Sequence, residues 1–372
     1  MAQLAPPWYH ISNLHEIDSP ALLVFPDRIE ENLRKMLAIA GDPARLRPHV
    51  KTHKIAEVVR LQMTLGITRF KCATIAEAEM TAGCGASDVL LAYPPVGPKA
   101  ARFVQLAKKF PATRFSAIAD DPDAMRALAD AASAAGLTID VMLDLDCGQH
   151  RSGVVPGPKA ADLYGWMAGL RGVRPAGLHA YDGHIVDTGL AARMKACEAA
   201  YAPVKALREQ LTQAGLGFPT VVAGGTPTFP MHARRGDAEC SPGTCILWDH
   251  GYATKLPDLS FQPAALVLTR VVSKPGPNLL CLDLGHKAVA SENPPPRVNL
   301  INLADAKAVA HNEEHLVIET TKAATFKVGD PLLGIPWHIC PTVALYSEAV
   351  VIQNGKAVAA WKIVARDRKL TV

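Results

Sequence analysis

From about residue 20 to residue 225, short apolar runs of strand character alternate with Ala- and Leu-rich segments whose apolar residues recur at helical spacing. The strand-like runs are ALLVF (21–25), LRPHVKTH (46–53), TRFKCAT (68–74), DVLLAY (88–93), RFSAIA (114–119), IDVMLDLD (139–146), PAGLHAYDG (175–183) and PTVVAGG (219–225). Between them lie segments such as KIAEVVRLQMTLG, PKAARFVQLAKKF and DPDAMRALADAASAAG, several of them closed by Gly. Strand alternating with helix predicts a parallel sheet, and eight such units predict an α/β fold, a (β/α)8 TIM barrel over residues 20–250. An open doubly wound sheet is the structural alternative. After about residue 250 the texture changes to strand-like runs broken by Pro, Gly and Asn-Gly turns, with QNGK (353–356) marking a hairpin. This predicts a C-terminal all-β domain over 251–372, joined by residues 1–19.

Composition narrows the class. With 49% hydrophobic and 20% charged residues over 372 positions, the chain is neither disordered nor fibrous. The formal net charge is +4 and the basic residues are scattered, so nucleic acid is not an expected partner. No apolar run approaches ~18 residues, and MAQLAPPWYHISNLHEIDSP lacks the regions of a signal peptide, so neither membrane insertion nor secretion is expected. Eight cysteines without a CxxC pair read as reduced thiols of a cytoplasmic protein.

The most informative segment is Arg47-Pro48-His49-Val50-Lys51-Thr52-His53-Lys54. On a strand, Arg47, His49, Lys51 and His53 share one face, and a basic row turned toward an apolar helix layer would be costly. The row is therefore expected to face the barrel mouth, where neighbouring cations lower the pKa of Lys51 and suit it to imine formation. RPHVKTHK after DSPALLVF resembles the N-terminal signature of the D-threonine aldolase and D-serine dehydratase-like family, fold-type III pyridoxal phosphate enzymes with an alanine-racemase-like barrel. The resemblance implies that Lys51 forms the internal aldimine with pyridoxal 5′-phosphate, with His49 beside the cofactor and His53 as a further catalytic candidate.

Four later segments extend that likeness. In Asp144-Leu145-Asp146-Cys147-Gly148-Gln149-His150-Arg151, the family places an arginine at Arg151 against the pyridine nitrogen. Tyr181 of LHAYDGH matches a family tyrosine beside the cofactor, and His184, just past the strand, is placed to act as a general base. Gly224, Gly225 and Thr226 follow the last predicted barrel strand, with Gly243 and Thr244 shortly after, where barrel enzymes bind phosphate. His338 and Cys340 stand two apart on a segment read as extended, so both reach one ion, and imidazole plus thiolate favours Zn²⁺. The family carries a metal pair at the matching place. DLGHKAVASE (283–292) and NEEH (312–315) resemble family loops of the β domain.

The expected activity is that of a pyridoxal phosphate- and divalent metal-dependent (Zn²⁺ or Mn²⁺) D-threonine aldolase, cleaving D-β-hydroxy-α-amino acids to glycine and an aldehyde. The alternative is a D-serine dehydratase, which the Cys form of the metal pair favours. An amino-acid racemase needs a second base and no metal, and a non-catalytic pyridoxal phosphate-binding protein lacks a β domain. The fold class implies a homodimer.

Overall fold

The computed structural model describes residues 6–372, so residues 1–5 of the expected N-terminal segment lie outside the described residues. The chain forms two compact units, one of residues 34–243 with 364–372, the other of residues up to 33 with 244–363. The first apolar run forms β1 (Ala21–Val24), which belongs to the second unit. The first unit holds β2 (Arg69–Cys72), β3 (Asp88–Leu91), β4 (Arg114–Ala119), β5 (Ile139–Leu145), β6 (Val173–Ala180), β7 (Thr220–Ala223) and β8 (Glu239–Cys240), each parallel to the next. The extended segment 46–49 closes the ring. Leu46 bridges to Cys240 and His49 to Lys71, with the Arg47 N–H donating to the Cys240 carbonyl at 2.8 Å and the Lys71 N–H to the Pro48 carbonyl at 2.9 Å.

The barrel thus has eight staves, but not the eight read from the sequence. β1 is replaced by β8, which shifts the stave numbers so that Gly224 follows the seventh stave and Gly243 the eighth. All four residues of β1 are buried, as in any central strand, so the run bears no mark of the sheet it joins. β8 spans two residues, too few to show a period.

Inside the barrel, Leu90, Ile118, Met142 and Val222 form one buried cluster. Outside it, the helices follow the expected rules. Pro98–Lys109 has Pro in its first turn and buries Ala100, Phe103, Val104 and Leu106 along one stripe. Asp121 caps Pro122–Ala134 by accepting the Ala124 N–H at 2.9 Å.

The N-terminal ends of seven staves are joined by a charged belt. Arg47 donates to Asp88 and to Glu239, each at 2.6 Å. Glu239 also holds Arg69, while Asp140 holds Arg114 and Arg174. Arg114 lies 4.0 Å from Asp88 and completes the chain of charges.

The second unit contains β9 (Ala265–Gly276), β10 (Leu279–Leu282), β11 (Val298–Leu300), β12 (Lys307–His311), β13 (Leu316–Glu319), β14 (Pro331–Pro336), β15 (Glu348–Gln353) and β16 (Lys356–Lys362). Its sheet runs β12-β13-β10-β9-β1-β15-β16, with β14 paired to both β9 and β11. Leu23 of β1 faces Leu266 in an antiparallel pair and Val350 in a parallel one. Leu23, Phe25, Leu266, Leu268 and Ile352 build the core there. The QNGK hairpin joins β15 to β16 with positive φ at both Asn354 (49°) and Gly355 (70°), as a primed two-residue turn requires. Among the described residues, no helix is long and apolar enough to cross a membrane.

Candidate active site

The first stave stays extended only to His49, after which Val50–Thr52 coil into a 3-10 turn. The turn ends the alternation expected along RPHVKTHK and scatters its basic row. Arg47 is consumed by the belt at the N-terminal end of the barrel. His53 is fully buried, its Nδ1 accepting the Ile55 N–H at 3.1 Å and its Nε2 lying 3.4 Å from the Gln62 amide. Burial pushes its pKa down to about 3, so it is a neutral, locally satisfied ring and not a member of the mouth. His49 and Lys51 do belong there. The His49 Nδ1 accepts the Lys51 backbone N–H at 3.3 Å and so caps the turn that carries the exposed Lys51.

Around them stand side chains from neighbouring staves. Lys71 of β2, only 2% exposed, places its ammonium 5.2 Å from the centre of the Tyr181 ring, and the Arg151 guanidinium lies 5.1 Å from the same centre. His179 of β6 lies opposite Asp144 of β5 in the parallel register and pairs with it through Nδ1 at 2.7 Å. Ser152 donates to the other Asp144 oxygen at 2.9 Å. Burial would raise Asp144, but the His179 and Ser152 hydrogen bonds and the Arg151 charge hold it below the usual carboxylate value. His179 is held below its ordinary value by burial, against the pull of Asp144, so its neutral ring donates from Nδ1. Its buried Nε2 then has no hydrogen-bond partner.

Burial and the charges of Lys51, Lys71, Lys54 and His179 push His49 well below its ordinary value. Burial and then Lys51 lower Lys71 to about 7, with Arg151 acting the same way and Asp182 and Asp144 opposing. The mouth therefore holds more cationic capacity than its carboxylates compensate, and this pushes His49 toward its neutral form and brings Lys71 into the neutral pH range.

The glycine turns are built for close approach. Gly224 has φ +77°, and a Cβ there would stand 2.7 Å from His232 Cδ2. A Cβ on Gly225 would stand 3.1 Å from Tyr181, and one on Gly243 would stand 3.1 Å from Thr52 Oγ1 and 3.2 Å from His49 Cβ. The Gly225 N–H donates to Thr228 Oγ1 and the Gly243 N–H to the buried Thr226 Oγ1, both at 3.3 Å. Behind this turn, Thr228 donates to Asp182 at 2.8 Å, and the other Asp182 oxygen meets His232 Nε2 at 2.8 Å. Asp182, Cys197 and His232 lie close enough to hold a metal ion. Against burial, however, Asp182 and Cys197 raise His232 to about 9, so its Nε2 carries a proton toward Asp182, with Arg235 Nη1 2.9 Å from Nδ1. The cluster is a hydrogen-bond network that fixes the Gly224–Thr228 turn. His184 is exposed, with Nε2 3.0 Å from the Cβ position of Gly148.

The second unit contains the remaining candidates. Thr244 opens a 3-10 turn, with Oγ1 3.5 Å from Cys340 Sγ. His338 caps the short helix Ile339–Val343, so Cys340 lies in a helical turn and not on the extended segment read from the sequence. Asp249 shapes that turn by accepting the Ile339 N–H at 3.1 Å. Cys340 nevertheless hydrogen-bonds His338, and Glu292 binds its Nδ1. These partners raise His338 to about 9 although burial works the other way. The loops 283–292 and 312–315 pack on each other, the His286 N–H donating to the Asn312 carbonyl at 2.8 Å and the Lys287 N–H to that of Glu313 at 3.1 Å.

The residues present fit the cofactor implied by RPHVKTHK: the orphaned His179 Nε2 calls for a donor, and the excess positive charge calls for an anion. The His338–Cys340 pair fits a soft divalent metal by the chemistry of its donors. Sequence reasoning missed Lys71, His179 and Asp144. A lysine between Phe70 and Cys72 in an apolar strand was the available signal for the first.

Residues 24–249 match the family described as alanine racemase, N-terminal domain, and residues 264–352 match the putative serine dehydratase domain. A D-threonine aldolase from Arthrobacter sp is 31% identical over 370 residues, covering 98% of this chain and 96% of that protein. A 3-hydroxy-D-aspartate aldolase from Paracoccus denitrificans (strain Pd 1222) is 29% identical, covering 95% and 93%. The crystal structure of D-threonine aldolase from Filomicrobium marinum matches with a TM-score of 0.88 at 29% identity, covering 98% of this chain and 99% of that one.

Proposed function

Because the chain belongs to the D-threonine aldolase and D-serine dehydratase-like family of fold-type III pyridoxal phosphate enzymes, we propose that it is a lyase cleaving D-β-hydroxy-α-amino acids to glycine and an aldehyde. The observation that carries this reading is the 31% identity to a D-threonine aldolase over 98% of the chain.

Bound pyridoxal 5′-phosphate supplies an electron sink for the charge that bond breaking leaves at Cα. Lys51 is the residue that would hold it through its ε-amine, on a backbone turn fixed by the Lys51 backbone N–H donating to His49 Nδ1. Arg151 sets a permanent cation in the mouth, it and Lys71 lie 5.1 and 5.2 Å from the Tyr181 ring centre, and the loops carrying Gly224, Gly225, Thr226, Gly243 and Thr244 are where the phosphate would bind. His184, exposed past β6, takes the proton of the substrate's β-hydroxyl on a ring nitrogen. His338 and Cys340, with Thr244 beside the thiol, would hold a divalent metal that supplies Lewis acidity, Zn²⁺ suiting the sulfur ligand better than Mn²⁺. His53 has no part in the reaction. The working form is a cytoplasmic homodimer, and the eight free thiols accord with a reducing compartment.

Cys340 and the match of residues 264–352 favour a second reading, β-elimination of water from D-serine followed by hydrolysis of the released aminoacrylate to pyruvate and ammonia. Incubation with D-threonine and D-serine, with cofactor and Zn²⁺ or Mn²⁺ added, separates the two. Glycine with acetaldehyde supports the aldolase, pyruvate with ammonia supports the dehydratase, and no product from either amino acid refutes both.

A further inference from the structure

Arg297, half-buried at the start of β11 in the second unit, is held by neutral partners alone. Its Nε donates to the Asn293 carbonyl at 2.8 Å, and its Nη1 donates to His286 Nε2 at 3.1 Å and His311 Nδ1 at 2.9 Å. The two imidazoles stand edge to face with centres 4.5 Å apart. His311 donates from Nε2 to the Leu284 carbonyl at 2.9 Å, so its Nδ1 is a lone pair turned toward the guanidinium. Burial keeps His311 below its ordinary value, consistent with that tautomer. Among the described residues no carboxylate forms an ion pair with Arg297, so two imidazole rings fix the guanidinium without neutralising it.

A cavity of about 150 Å³ adjoins this group, with Arg297 and His311 in its wall and the buried side chains of Leu300, Leu303, Leu316 and Ile318 around the rest. An engineered apolar cavity of about this volume takes up benzene, so there is room for roughly six heavy atoms. With Nε and both Nη1 hydrogens committed to Asn293, His286 and His311, the two N–H groups of Nη2 and the permanent charge are what the guanidinium offers a carboxylate, and the leucine and isoleucine walls suit a short hydrocarbon tail. A phosphate would leave that apolar surface unused and find one cation for its charge.

We propose that Arg297 and the adjoining cavity form a carboxylate-binding pocket in the second unit, taking a small monocarboxylic acid with a short apolar tail. The pocket stands whatever reaction the barrel performs. The acid is either a free metabolite or the carboxylate end of an amino-acid substrate, and the two sources are separable.

The test is calorimetric titration of the full chain with isobutyrate, at ionic strength held constant with chloride, beside the isosteric neutral isobutyramide. The expected result is binding of isobutyrate with a Kd on the order of 1 mM and at least tenfold weaker binding of the amide. Arg297→Met should abolish the preference and Arg297→Lys should keep part of it. Should Arg297→Met fail to fold, Ala306→Leu fills the cavity and leaves the guanidinium in place, and it should also abolish binding. Equal binding of acid and amide, or unchanged binding in both Arg297→Met and Ala306→Leu, overturns the proposal. Repeating the titration with D-threonine present assigns the source: competition identifies the substrate's carboxylate, and an unchanged Kd identifies a free acid.

Discussion

The two ends of the barrel are lined with the same kinds of side chain and put them to opposite use. At the N-terminal end, Arg47, Arg69, Arg114 and Arg174 are matched against Asp88, Asp140 and Glu239 in one connected belt. At the mouth, His49, Lys51, Lys71, Arg151 and His179 face Asp144 and Asp182, both already committed to imidazoles. Burial is common to both ends, yet Arg47 is raised and Lys71 lowered, because Arg47 has Glu239 and Asp88 at hydrogen-bond distance while Lys71 has only more distant carboxylates. One end is complete within the fold. The other is left short of negative charge, which is how a barrel separates stability from binding.

The sharpest way to break the comparison is to delete one cation from each end. Lys51→Ala should abolish the visible absorbance of bound cofactor and lower turnover by on the order of 10⁴-fold or more, the scale seen when a covalent catalytic group is removed. Its urea midpoint without cofactor should stay at the wild-type value. Retained absorbance in this variant would remove Lys51 from its assigned place. Arg47→Met should do the reverse. Its side chain is 6% exposed, and its loss leaves Asp88 with only Arg114 at 4.0 Å and Glu239 with Arg69 alone, a defect at the buried closing stave costing about 3 kcal/mol. Urea denaturation of the apoprotein checks this, and a loss under about 1 kcal/mol would show that the belt does not hold the barrel shut.

How much of this was legible in the sequence follows from the range of each signal. His49, Lys51, Arg151 and Tyr181 sit in local motifs, and the structure brings them together. Lys71 and His179 needed the register between neighbouring staves, since His179 meets Asp144 across the sheet and Lys71 bridges to His49. His53 and Arg47 were grouped with Lys51 by strand alternation, which fails where the chain turns at Val50–Thr52. β1 was assigned to the barrel because burial on both faces looks the same in either sheet. The QNGK turn needed no distant partner and formed as read.

Lys71 sharpens the comparison through pH. Its folded value of about 7 lies below the 10.5 of a free lysine, so between those limits the unfolded chain binds more protons than the folded one. Apoprotein stability should therefore rise with pH across that window from this group, and the penalty should be fully present below about pH 7. Lys71→Met should flatten the rise without lowering stability at neutral pH. The same substitution should weaken cofactor binding about tenfold, the order expected for one charged contact. Chemical denaturation across pH and a fluorescence titration of the apoprotein measure the two effects. An undiminished pH slope would mean that Lys71 does not supply the charge deficit of the mouth.

The belt makes the finest distinction within itself. Arg174 binds the same Asp140 that Arg114 holds, but its side chain is 64% exposed, against 6% for Arg47. Solvent screens the outer pair, and Asp140 keeps Arg114 when Arg174 is removed. Arg174→Ala should accordingly cost no more than about 0.5 kcal/mol and lose even that in high salt, as exposed ion pairs do. Urea midpoints for this variant and for Arg47→Met, compared at low and high ionic strength, set the two contributions side by side. A cost at Arg174 equal to that at Arg47 would mean that the belt acts as a uniform ring, and that burial is not what gives its inner members their weight.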